Sequence, residues 1–176
     1  MKRSGKIALG GMFGALSLVC LLGTVFPYGL YALPALAGVM LLPLALEFGT
    51  RWGLAGYAAV GLLALFVTPS MEAKVLFLAF FGYYPTLKLW LEGHTHRWVG
   101  CLIKFAVFNL TMVGSYVLML RVFGLPADSF ELFGVSLPLV FLAAGNVIFW
   151  VFDAALTGVV QMYWKKWHPR FCRMFH

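Results

Sequence analysis

The sequence predicts an all-α, polytopic membrane protein with six transmembrane helices and cytosolic N- and C-termini. Of its 176 residues, 62% are hydrophobic and only 11% are charged. Charged residues make up about a quarter of a typical soluble domain, so this composition excludes a water-soluble fold. The apolar residues also fall into six runs, each about as long as a helix that crosses the hydrocarbon core of a bilayer.

The six runs are separated by short connectors that contain proline, glycine or charged residues. The runs lie near residues 7–26, 30–47, 52–68, 75–91, 101–121 and 137–161. The first is longer than the ~7–15-residue core of a secretory signal, so we interpret it as a transmembrane helix. Because no connector could hold a soluble domain, residues 1–176 are predicted to form one transmembrane domain, with a basic, aromatic cytosolic tail at 162–176.

The distribution of basic residues predicts the orientation in the membrane. If the N-terminus is inside, only Lys74 and Arg121 of the 13 lysines and arginines lie outside. The positive-inside rule therefore places both termini in the cytosol. The net charge of +7 therefore does not indicate a nucleic-acid partner, and the basic, aromatic tail is interpreted as an interfacial anchor next to anionic lipid.

One stretch in the middle of the chain is unusual for an apolar run: Phe81-Gly82-Tyr83-Tyr84-Pro85. Proline has no N–H, so Pro85 should bend the helix and cannot donate to the carbonyl of Phe81. In hydrocarbon that carbonyl needs another partner, which a neighbouring helix, a water or a ligand could supply. The alternative is a packing kink with tyrosines at the membrane interface.

Polar side chains in the outer half or the middle of the spans form a candidate substrate site. They are Tyr28, Tyr31, Tyr83, Tyr84, Asn109, Tyr116 and Asn146. Amides and phenols around an apolar space suit a small, mostly apolar ligand with a few polar groups. Each residue could instead hold helices together by hydrogen bonds.

A buried charge pair is predicted inside the membrane. Asp153 lies in the inner half of the sixth run, where a carboxylate needs a partner. Lys104 and Lys88 lie toward the inner ends of the fifth and fourth runs, and Glu47 lies at a similar depth. We expect Asp153 to pair with Lys104 or Lys88 as a structural clamp, with a proton or ion relay as the alternative.

Small residues of the first run are spaced for close helix packing. Gly10 and Gly14 form a G-x-x-x-G pattern, and Gly11 and Ala15 repeat the spacing. This pattern lets two helix backbones approach in a membrane, so it fits docking of another protein or packing within this chain.

No motif in the chain indicates an enzyme, a cofactor or a metal site. His94 and His96 lack a third ligand, and the sequence has no nucleophile elbow or phosphate-binding glycine loop.

The chain begins with a basic N-terminus followed by Lys6-Ile7-Ala8-Leu9-Gly10-Gly11-Met12-Phe13-Gly14-Ala15, and it has six predicted spans in 176 residues with both ends inside. These features resemble the substrate-binding S components of energy-coupling factor (ECF) transporters. Two further stretches, Phe81-Gly82-Tyr83-Tyr84-Pro85-Thr86-Leu87-Lys88 and Gly145-Asn146-Val147-Ile148-Phe149 with Asp153, are more narrowly similar to a Firmicutes-type branch of S-component-like proteins.

The resemblance implies a function and partners. S components sit in the bacterial plasma membrane, capture a vitamin or another micronutrient from outside, and join a transmembrane coupling subunit driven by two ATPases. Ala8, Gly11 and Ala15 would then be the docking stripe for that subunit. The connection after the first helix is brief here, whereas in the family it often forms a longer lid over the substrate. A structural or assembly membrane protein without transport activity is the alternative.

Overall fold

The computed structural model describes residues 3–26, 29–122, 131–132 and 135–168. Tyr28 and the end of the predicted tail lie outside the described residues. The helices are α1 (Arg3–Leu22), α2 (Ala32–Met40), α3 (Leu42–Phe48), α4 (Thr50–Val67), α5 (Met71–Leu76), α6 (Tyr84–His94), α7 (Arg97–Val122) and α8 (Leu137–Met162). A 3₁₀ turn at Gly23–Val25 follows α1, and π-helical turns follow α5 (Phe77–Phe81) and α8 (Tyr163–Trp167).

Four helical segments are long and apolar enough to cross a membrane. They are Gly5–Val25, Thr50–Val67, Arg97–Leu118 and Leu142–Trp167. Apart from a two-residue antiparallel ladder between β1 (Glu131–Leu132) and β2 (Val135–Ser136), the regular structure of the described residues is helical. The structure therefore confirms the prediction of a helical membrane protein, with four helices that are able to span the bilayer.

Two further apolar segments are interrupted by proline. Pro43 occupies the first turn of α3, so the segment Ala32–Phe48 breaks between α2 and α3. Pro85 occupies the first turn of α6, where the missing N–H is tolerated. Each proline thus lies in the first turn after an interruption of the α-helical hydrogen bonding, while the linking residues Leu41, Gly82 and Tyr83 keep right-handed helical dihedrals.

Local sequence explains two of the other helix boundaries. Gly49, with φ of 89°, separates α3 from α4 in a backbone conformation that favours glycine. Ser70 caps α5, since its Oγ accepts a hydrogen bond from the Ala73 N–H at 3.3 Å.

Contacts divide the chain into two units, residues 2–115 and residues 116–176. The core of the first unit is an apolar cluster drawn from α1 to α4 and the first π turn: Leu21, Ala37, Leu41, Leu44, Val60, Ala64 and Phe77. A polar contact crosses this core, because the buried Ser17 Oγ donates to the carbonyl of Ala37 at 2.8 Å. The second unit contains the end of α7, the two-residue ladder, α8 and the second π turn.

Candidate functional site

The helix between Met71 and His94 changes its hydrogen-bond register at the π turn. The Gly82 N–H donates to the carbonyl of Phe77, five residues earlier, at 2.8 Å. In a regular α-helix the Gly82 N–H would donate to the carbonyl of Leu78, four residues earlier. Instead, the hydroxyl of Tyr57 on α4 donates to the Leu78 carbonyl at 2.6 Å. A side chain of a neighbouring helix therefore partners a backbone group at a π-bulge, a feature often found at functional sites.

The carbonyl of Phe81 faces α2. It receives no hydrogen bond from Pro85, because proline has no N–H. A Cβ atom added to Gly38 would collide with this oxygen, so only glycine permits the observed approach. Such proximity places the Gly38 Cα where it can form a weak Cα–H···O contact. Of the three kinds of partner expected for this carbonyl, the structure provides a neighbouring helix.

The contact brings together the two interrupted segments. Gly38 lies three residues before Leu41, where α2 gives way to α3, and Phe81 ends the π turn before α6. Close packing continues along α4, because a Cβ at Gly53 would clash with Thr86 and one at Gly82 would clash with the Tyr57 ring. The break in α5–α6 is thus held between α2 and α4.

The tyrosines proposed as ligand-binding residues occupy different environments. Tyr83 is partly buried, and its ring lies edge-on to that of Tyr57 with centroids 5.8 Å apart. Tyr84 is fully buried and stacks on Phe80 at 4.6 Å. Tyr31 is 68% exposed. Sequence reasoning missed Tyr57; the available signal was that it is the one hydroxyl between Trp52 and Val67.

The two asparagines make hydrogen bonds along their own helices. Asn109 donates to the carbonyl of Phe105 at 2.8 Å, and Asn146 donates to that of Leu142 at 2.7 Å. The Thr111 hydroxyl likewise donates to the carbonyl of Val107 on its own helix. Asn146 and Tyr116 belong to the second unit, so the convergence of all seven candidate residues stays a prediction.

Two buried lysines converge on one carboxylate oxygen. Lys88 is 0% exposed, and its Nζ lies 3.1 Å from Oε1 of Glu92. Lys104 Nζ donates to the same oxygen at 2.6 Å. Sequence reasoning assigned no role to Glu92, although its position four residues after Lys88 is a familiar helical pair. Asp153 belongs to the second unit, and its pairing with either lysine stays a prediction.

A groove of about 410 Å³ runs between α1 and α4. It is lined by Lys6, Ile7, Gly10, Gly11, Gly14, Ala15 and Leu18 of α1, by Leu44, and by Trp52, Ala55, Gly56, Ala59, Val60 and Leu63 of α4. A Cβ on Gly10 or Gly11 would meet nothing within 4 Å, so this floor is open. Of the predicted docking stripe, Ala8, Gly11 and Ala15 are all exposed, and the last two line the groove.

The described residues contain no group of three or more His, Cys, Asp or Glu side chains that could hold a metal ion. No protein family, curated protein or solved structure matches the chain. The candidate site therefore has to be interpreted from its own geometry.

Proposed function

We propose that this chain is the small-molecule-binding subunit of a bacterial uptake transporter. The observation that carries the proposal is the meeting of two interrupted helices at their breaks, through Gly38 and the Phe81 carbonyl. Transporters commonly build substrate and ion sites from discontinuous helices whose breaks lie near the middle of the membrane.

The position of each break along its segment supports this proposal if both segments cross the membrane. At 1.5 Å per residue, Leu41 lies ~14 Å along its segment from Ala32, and Phe81 lies ~15 Å along its segment from Met71. Both distances are about half of the ~30 Å hydrocarbon core. If the two interrupted segments cross the membrane together with the four long helices, the chain has six spans, and the positive-inside rule puts both termini in the cytosol of a plasma-membrane protein.

The ligand class follows from the side chains around the breaks. Phenols at Tyr57 and Tyr83 stand among the aromatic rings of Phe77 and Phe80. This setting favours a flat, mostly apolar molecule with a few polar groups, such as a vitamin or another micronutrient. The resemblance to S components of ECF transporters favours the same class.

Ligand binding is tested on the purified protein by thermal unfolding with a panel of vitamins and metal ions. We expect one compound to raise the melting temperature, and the rise to shrink in Tyr83→Phe. A matched control is Thr95→Val, which removes a hydroxyl at the α6–α7 turn and should leave the rise intact. If no compound stabilises a well-folded sample, the structural or assembly protein becomes the better proposal, since its breaks need only the protein partners that they already have.

Coupling to a transmembrane partner and its ATPases is a separate part of the proposal. Ala8, Gly11 and Ala15 form an exposed stripe of small residues on α1, which suits close approach of another helix. Ala15→Leu should reduce co-purification with a coupling subunit, while Met12→Leu, at another exposed position of α1, should not. Equal recovery of the partner with both variants would move the docking site elsewhere.

A further inference from the structure

We propose that the groove between α1 and α4 binds one anionic phospholipid, with an acyl chain along its glycine and alanine floor and the headgroup at Lys6. The groove shares Gly11 and Ala15 with the proposed docking stripe, so a bound lipid and a coupling subunit would compete for this surface. In the predicted orientation, the Lys6 end of the groove lies at the cytosolic leaflet.

The length of the groove fits one acyl chain of a lipid. Its α1 wall extends from Lys6 to Leu18, or ~18 Å at 1.5 Å per residue. One leaflet contributes about half of the ~30 Å hydrocarbon core. A single acyl chain reaches only through its own leaflet, so the groove is long enough to hold one along its length.

The charge at the mouth of the groove selects the headgroup. Lys6 Nζ lies 5.4 Å from the ring centroid of Phe48 and 5.9 Å from that of Trp52, so two aromatic rings flank the ammonium group. No carboxylate of the described residues forms an ion pair with Lys6. A phosphate at this depth would gain a charge-assisted contact while Trp52 lies among the headgroups.

The same charge argues against a second copy of the chain. Two protomers that share one membrane orientation would place their Lys6 side chains at the same depth. If each inserted α1 into the other's groove, the two ammonium groups would repel each other. An anionic lipid removes that repulsion and fills the open space at Gly10 and Gly11.

Native mass spectrometry of the purified full chain tests the proposal. The probes are phosphatidylglycerol and phosphatidylcholine with identical acyl chains, supplied in equal amounts. We expect the one-lipid complex to favour phosphatidylglycerol. Lys6→Gln should lower that preference about fivefold, the effect of one basic residue near an anionic headgroup. Arg97→Gln removes the same charge from an exposed position on α7 and should keep the preference.

A second variant tests the floor of the groove. Gly10→Leu fills open space in the groove without replacing a residue of the predicted docking stripe, so it should reduce complexes with both lipids and leave the melting temperature near that of the parent. The proposal is overturned if Lys6→Gln and Arg97→Gln behave alike, if Gly10→Leu binds lipid as the parent does, or if the parent retains neither lipid. A lipid-free dimer would assign the groove to a second copy instead.

Discussion

At the scale of single residues, the most informative side chain is Tyr57. Its hydroxyl donates to a carbonyl that the π turn has removed from the usual helical ladder. Its ring also lies against Gly82, where a Cβ would collide with it. Hydroxyl and ring therefore hold the same helix break, the first through a hydrogen bond and the second through packing.

Tyr57→Phe is expected to lower the free energy of unfolding by about 1 kcal/mol, because it removes the donor and keeps the ring. Thermal or detergent-induced unfolding of the purified protein measures the change. Tyr31→Phe is the control, since Tyr31 is 68% exposed and should tolerate the same deletion. Equal stability of the two variants would mean that the Leu78 carbonyl gains nothing from Tyr57.

Gly38 provides a second prediction at this scale. Gly38→Ala would place a methyl group against the Phe81 carbonyl, so α2 and the break must separate. We expect a loss of about 1–3 kcal/mol in unfolding free energy, as in other overpacked interiors. Gly10→Ala, where the added methyl meets nothing within 4 Å, should change little in the same unfolding assay. A stable Gly38→Ala protein would contradict the close approach of the two helices.

At the scale of helices, sequence reasoning located the break in α5–α6 but could not describe it. Pro85 lacks an N–H whatever the fold, so a disturbance at Phe81 was predictable from local chemistry. The shift to π register and the partners Tyr57 and Gly38 depend on packing between residues distant in sequence. The break at Pro43 was not predicted, because a proline within an apolar run can also be accommodated by a bend.

The charge cluster illustrates the same limit. Depth alone suggested that Asp153, the intramembrane carboxylate, pairs with either Lys88 or Lys104. The structure adds Glu92, whose side chain is 44% exposed and reaches both lysines from the end of α6. A lysine can snorkel along the helix toward such a carboxylate, which weakens any assignment of pairs by depth.

Glu92→Gln should therefore destabilise the protein, by about 1–2 kcal/mol given the partial exposure of the carboxylate. The double variant Glu92→Gln with Lys104→Met should recover part of the loss, because it also removes one buried charge. Glu72→Gln, at an exposed position at the start of α5, is the control in the same unfolding measurement. If Lys104→Met restores more stability to the Asp153→Ala variant than to the Glu92→Gln variant, Asp153 is the more important partner of Lys104.

At the scale of the whole molecule, the number of crossings depends on the two interrupted segments. The four long helices satisfy the length requirement individually, whereas α2–α3 is a shorter apolar segment and α5–α6 is interrupted at the π turn. Broken helices are acceptable in a membrane when neighbouring protein groups satisfy their backbones. The contacts from Tyr57 and Gly38 provide this at α5–α6, so we expect that segment to cross despite its break.

Cysteine labelling tests both crossings. In a variant without the 3 native cysteines, single cysteines replace Tyr31 and Arg51, which bracket α2–α3, or Met71 and His96, which bracket α5–α6. All four positions are exposed. With a membrane-impermeant maleimide added to intact cells, we expect labelling at positions 31 and 71, and labelling at 51 and 96 only after permeabilisation. If both members of a pair react from one side, the segment between them does not cross, and its proline marks a re-entrant turn whose backbone must be satisfied within the protein.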